Sequence, residues 1–144
     1  MNIAIIFAGG SGVRMGAGMP KQFLEINGKP IIIHTLDNFQ NNPLIDKIYI
    51  ACKSDYIEKL KYMIDYYRIT KTKGIVEGGK TGQDSIYNGL KYALKENPED
   101  SIVLLHDGVR PYISDDVIEK NIESVKKYGT AITCTAFFET PVVS

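Results

Sequence analysis

Short runs rich in Ile and Val, separated by stretches of helical periodicity, restrict the fold of this chain more than any other feature. They are IAIIFA (3–8), KIYIAC (47–52), GIVE (74–77), SIVLLH (101–106) and TAITCTA (130–136). Most are apolar throughout instead of alternating, the pattern of strands covered on both faces in a parallel sheet. Parallel neighbours need crossover connections, so strands alternating with helices predict βαβ repetition: an α/β fold with an open, mostly parallel sheet flanked by helices.

The helical stretches carry their own boundaries. Pro30 suits a first helical turn ahead of Ile33, Leu36 and Phe39, and Asn41-Asn42-Pro43 closes that segment. Ser54 is placed to cap a helix with Ile57, Leu60 and Ile64 on one stripe. Thr81 and Asp84 have capping-box spacing before Ile86, Leu90 and Leu94. Ser114, Asp115 and Asp116 open a further helix that Lys126, Lys127 and Gly129 finish, each charge on the side the helix dipole favours. Asn27-Gly28 marks a tight turn between short extended pieces.

At 144 residues and 44% hydrophobic letters, the chain is read as one domain, residues 1–144, that buries roughly two-thirds of its unfolded surface. Seventeen basic and seventeen acidic residues cancel, which argues against nucleic acid or an anionic membrane as partner. Cys52 and Cys134 lie in apolar surroundings without metal-ligand spacing and read as buried thiols. The opening MNIAIIFAGG lacks a basic n-region, and its apolar run is too short for an anchor; a cytoplasmic location is expected.

An open parallel sheet presents its ligand loops at the carboxyl ends of the strands. Three segments fall there: 8–22, 77–85 and 106–111. In the first, Gly9, Gly10, Gly12 and Gly16 let backbone N–H groups crowd round a phosphate, and Arg14 and Lys21 add cations. A dinucleotide fingerprint is excluded, because Met15 stands where its third Gly belongs and no helix follows directly. In the second segment, GIVEGGKT (74–81) has the letters of a P-loop. The strand-forming Ile75 and Val76 would then lie inside the phosphate cradle, so Gly78 and Gly79 are read as a close-approach turn, with Ser85 offering a hydroxyl to a ligand. In the third, Asp107 ends a strand where a carboxylate can bind magnesium, and Arg110 suits a second phosphate. His106 is read as structural, His34 is assigned nothing, and the nine tyrosines are read as packing residues.

Taken in order, FAGGSGVRMG (7–16), PKQF (20–23), GKPIIIHTL (28–36), VEGG (76–79) with DSI (84–86), and HDGVRP (106–111) closely resemble the IspD/TarI family of cytidylyltransferases. The resemblance runs along the whole chain, and the ribitol 5-phosphate members look more similar than the methylerythritol 4-phosphate members. It implies a Rossmann-like nucleotidyltransferase domain that moves CMP from CTP to a sugar-alcohol phosphate with Mg²⁺, releasing pyrophosphate. It further implies catalytic roles for Arg14 and Lys21 and CTP contacts from Ala8, Gly9, Gly10, Gly12, Gly78, Gly79 and Ser85. Asp107 would help hold the metal, and Arg110 and Thr140 would face the acceptor phosphate. Relatives continue past the position of Ser144 into a dimer-forming arm and a segment with further acceptor contacts; the expectation is a truncated domain whose full-length form is a homodimer. One departure stands out: Gly82 occupies a position where the family usually has Arg. The alternatives are a P-loop-type NTPase and a non-catalytic nucleotide-binding or assembly module.

Overall fold

The computed structural model of the chain describes residues 1–8 and 19–134. Among the described residues, four parallel strands form the main sheet: β1 (Asn2–Ala8), β4 (Lys47–Cys52), β5 (Thr72–Glu77) and β6 (Ile102–Asp107), in the order β5-β4-β1-β6. The two-residue strands β2 (Glu25–Ile26) and β3 (Lys29–Pro30) make a separate hairpin. Asn27 and Gly28 both have positive φ, 52° and 73°, as a tight two-residue hairpin turn requires. The described helices are α1 (Ile31–Asn41), α2 (Ile57–Tyr66), α3 (Gly82–Glu96) and α4 (Asp115–Tyr128). None of the described helices is long and apolar enough to cross a membrane.

Successive side chains of a strand point to opposite faces, and β1 and β4 fill both. Ala4, Ile6 and Ala8 with Ile48, Ile50 and Cys52 meet Ile32, Ile33, Leu36 and Phe39 of α1, Leu60 of α2, and Ile118 and Ile122 of α4. Ile3, Ile5 and Tyr49 meet Ala93, Leu90 and Tyr92 of α3 on the other face. The approach of α3 is close enough that a Cβ on Gly89 would stand 2.7 Å from Cγ2 of Ile5. Each fully buried Leu, Ile or Phe contributes on the order of 1.5–3 kcal/mol, so this two-sided core fixes where the strands end and thus where the loops emerge.

Several expectations are modified. The strands β5 and β6 are half-exposed rather than buried throughout, because among the described residues each has a sheet neighbour on one side only. Residues 130–134 form no strand, Ile132 is 89% exposed, and Cys134 is exposed, contrary to its reading as a buried thiol. The remainder of that expected strand, 135–136, lies outside the described residues. Ser54 caps nothing with its side chain: it opens a single 3-10 turn, Ser54–Tyr56, ahead of α2. Pro30 occupies the N-cap position of α1, whose first N–H, that of Ile31, donates to the Leu24 carbonyl at 2.9 Å.

Candidate active site

The parallel register brings the strand ends level. Phe7 stands opposite Asp107, Ala8 opposite Cys52, and Cys52 opposite Glu77. The three loops therefore leave one edge side by side, across three strand spacings or on the order of 14 Å. The chain runs from β1 outward through β4 to β5, then returns through α3 to place β6 on the far side of β1. That reversal is the switch point at which open α/β sheets bind ligands.

The turn after β5 begins with the Gly78 N–H donating to the Cys52 carbonyl at 2.7 Å. The Gly79 N–H donates to Oγ of Ser85 at 3.0 Å, and that hydroxyl donates onward to the Thr81 carbonyl, also at 3.0 Å. Ser85 is 1% exposed, so its hydroxyl lies beneath the turn and is occupied in shaping it. Thr81 and Asp84 form the expected reciprocal capping box at the start of α3. A Cβ on Gly79 would overlap that of Asp84, which is why only glycine fits there. Ile75 and Val76 pair with Ile50 and Ala51 inside the sheet. A P-loop cannot form across paired strand residues, so the P-loop reading is ruled out; Lys80 is an exposed loop cation and Thr81 a helix cap.

At the end of β6 the Gly108 N–H donates to the Phe7 carbonyl at 3.0 Å, and the position a Cβ would take at Gly108 is 3.2 Å from that of Ala8. Asp107 accepts the Val109 N–H at 3.1 Å with Oδ1, while Oδ2 lies 3.6 Å from Nε of Arg110. The Arg110 side chain is 77% exposed, so this pair is screened and holds the fork only loosely, leaving it available to an anion. No group of three or more His, Cys, Asp or Glu that could hold a metal occurs among the described residues. A lone carboxylate at a strand end still suits magnesium, which takes one or two carboxylates and completes its shell with phosphate oxygens and water.

Lys21 is the exposed residue of a 3-10 turn, Lys21–Phe23, whose other two members are buried. Gln22, 2% exposed, donates its side-chain amide to the Ala8 carbonyl at 2.6 Å, and Phe23 stacks on Tyr56 at 4.9 Å. Gln22 thus ties the segment bearing Lys21 to the last residue of β1. Reading the sequence did not single it out: only its place between an exposed Lys and a buried aromatic hints at an inward-facing amide. Gly9, Gly10, Gly12 and Arg14, together with Thr140, lie outside the described residues. The structure brings the other expected residues, Ala8, Lys21, Gly78, Gly79, Ser85, Asp107 and Arg110, to one edge of the sheet.

A parallel sheet of this order, with glycine turns and cations gathered at its switch point, defines an α/β domain of the nucleotide-binding class. The sequence matches the family described as IspD, 2-C-methyl-D-erythritol 4-phosphate cytidylyltransferase, over residues 2–140, and the chain belongs to that family. It is 49% identical over 144 residues to a ribitol-5-phosphate cytidylyltransferase of Streptococcus agalactiae serotype Ia, covering 99% of this chain and 60% of the relative. It is 45% identical over 130 residues to a 2-C-methyl-D-erythritol 4-phosphate cytidylyltransferase of Clostridium botulinum strain 657, covering 90% of this chain and 56% of that protein. Among solved structures, the 4-diphosphocytidyl-2C-methyl-D-erythritol synthase of Anaerococcus prevotii superposes with a TM-score of 0.70 at 31% identity, over 88% of this chain and 51% of that one. The chain thus spans about 60% of the length of the first of these relatives.

Proposed function

We propose that the protein to which this chain belongs transfers CMP from CTP to a sugar-alcohol phosphate, with ribitol 5-phosphate favoured over methylerythritol 4-phosphate. The observation that carries this reading is the convergence of Lys21, the Gly78-Gly79 turn and the Asp107/Arg110 turn on one strand edge of a chain in the IspD family. The preference for ribitol 5-phosphate rests on the 49% identity to a relative named for that substrate.

In this chemistry an acceptor phosphate oxygen attacks the α-phosphorus of CTP. The new O–P bond forms as the bond from that phosphorus to the bridging oxygen breaks, and pyrophosphate leaves with the electron pair. No covalent enzyme intermediate is needed, so the protein contributes positioning and charge. Gly78 and Gly79 present main chain to the nucleotide, on a turn that Ser85 holds from below. Lys21, with Arg14, offsets the negative charge that gathers on the phosphates. Arg110, with Thr140, orients the attacking acceptor phosphate. Magnesium would supply further neutralisation of phosphate charge, and Asp107 is the residue that would help hold it. The full-length form is proposed to be a cytoplasmic homodimer.

Pyrophosphate release by the full-length protein, measured with CTP across a panel of alditol and sugar-alcohol phosphates, tests the reading. CTP with ribitol 5-phosphate should give the highest kcat/KM. Release with another nucleotide but not CTP would overturn it. Lys21→Ala should lower kcat by about 10²–10³ without changing the denaturation midpoint, as expected when one preorganised charge is removed.

A further inference from the structure

The turn at residues 107–111 is anchored unusually well for a surface loop. Loop carbonyls ordinarily face water. Here three of them accept hydrogen bonds from side chains: Gly108 O from Oγ1 of Thr35 at 3.0 Å, Pro111 O from Nδ2 of Asn38 at 2.6 Å, and Arg110 O from the His106 ring at 2.9 Å. Thr35 and Asn38 lie one turn apart on α1, so a single helix face grips both ends of the turn. A carbonyl can only accept, so Nε2 of His106 carries the proton, and the ring is fixed by its tilted packing on Phe39 at a centroid distance of 5.1 Å. Phe39 is itself fully buried on α1, so helix, ring and turn form one connected unit.

We propose that Asn38 and His106 are positioning residues for Arg110. They take up the carbonyl oxygens of Arg110 and of the residue after it, and so fix the backbone from which an otherwise exposed guanidinium reaches an acceptor phosphate. What Arg110 does there rests on the cytidylyltransferase reading above. The clamp itself rests on geometry alone. An arginine on a free surface turn would lose orientational freedom with every binding event; one whose main chain is already held needs only its side chain ordered.

The test uses the full-length protein with Asn38→Leu, His106→Phe and His106→Gln. Leu and Phe keep the approximate shape and packing but remove the donor, whereas Gln retains an amide that can reach the Arg110 carbonyl. Amide hydrogen exchange at Val109 and Arg110 should accelerate about tenfold in the Leu and Phe variants and stay near wild type in the Gln variant. KM for the acceptor phosphate should rise about tenfold in the same two variants, with KM for CTP unchanged. Unchanged exchange would overturn the clamp. A parallel rise in both KM values, or a Gln variant indistinguishable from Phe, would overturn the positioning role in favour of general loss of structure. A wild-type protein that transfers CMP to no acceptor would overturn the functional reading, and the acceptor half of this proposal with it. That outcome is recognisable because it appears before any substitution is made.

Discussion

The turn between Gly78 and Ser85 and the turn between Asp107 and Pro111 face the same edge of the sheet, yet they are held in different ways. In the first, the Gly78 N–H extends the sheet ladder to the Cys52 carbonyl, and the bonds that close the turn beyond it join near neighbours: Gly79 to Ser85, Ser85 to Thr81, and Thr81 to Asp84. In the second, two of the three carbonyl contacts come from α1, seventy-three positions away along the chain. A turn held by its own residues is specified locally and forms with its helix. One held from a distant helix exists only once the core between them has assembled. The first suits a rigid glycine main chain that must meet a ligand closely; the second suits a charged side chain whose direction has to be set relative to the rest of the sheet.

The strongest way to break this contrast is Gly79→Ala. The added Cβ overlaps the side chain of Asp84 and lies 2.9 Å from that residue's carbonyl carbon, so the turn has to open. Loss of about 2–3 kcal/mol in urea denaturation is expected, with loss of CTP binding by calorimetry. Wild-type stability would mean the turn is not packed as described.

Thr35→Val comes next. It conserves shape but removes the donor to the Gly108 carbonyl from a fully buried position, at a cost of about 1–2 kcal/mol. Exchange should accelerate across 107–111 and remain unchanged across 78–85, measured by amide hydrogen exchange. Thr81→Ala sharpens the contrast from the other side: loss of the capping box should cost about 1 kcal/mol, with faster exchange at the start of α3 and none of the change at 107–111. If either substitution loosens both turns equally, they are one cooperative unit and the contrast fails. The smallest effect belongs to Lys80→Ala. An exposed loop cation outside any P-loop should change CTP affinity by no more than about twofold, read by the same titration.

Where interactions are short-range in the chain, the sequence named most of them, the expected Ser54 cap being an exception. Thr81 and Asp84 have the spacing of a capping box and form one; Ser114 accepts the Val117 N–H as an N-cap; Gly129 ends α4 at φ 84°. The β4 strand falls at 47–52 as read, because a continuous apolar run between polar turns has one stable place, the middle of a sheet. The run at 130–136 carries the same apolar signal, yet its described part forms no strand: propensity makes a strand possible, and only a neighbour with free backbone groups makes one. Cys52 and Cys134 show the same limit. Both sit among apolar letters, but Cys52 is sealed inside the sheet, where burial pushes its thiol up to about 11, and Cys134 is exposed.

The sequence alone determined the α/β alternation, the caps of α3 and α4 and the candidate residues of the strand-end loops, since each depends on periodicity or on contacts within a few positions. Tertiary structure decided which carbonyls the side chains of Gln22, Thr35, Asn38 and His106 would find. A buried or half-buried amide, hydroxyl or imidazole must be satisfied, but its partner is chosen by how the helices dock on the sheet. That docking is set by the apolar faces, whose letters say that they will be buried and leave open what they will be buried against.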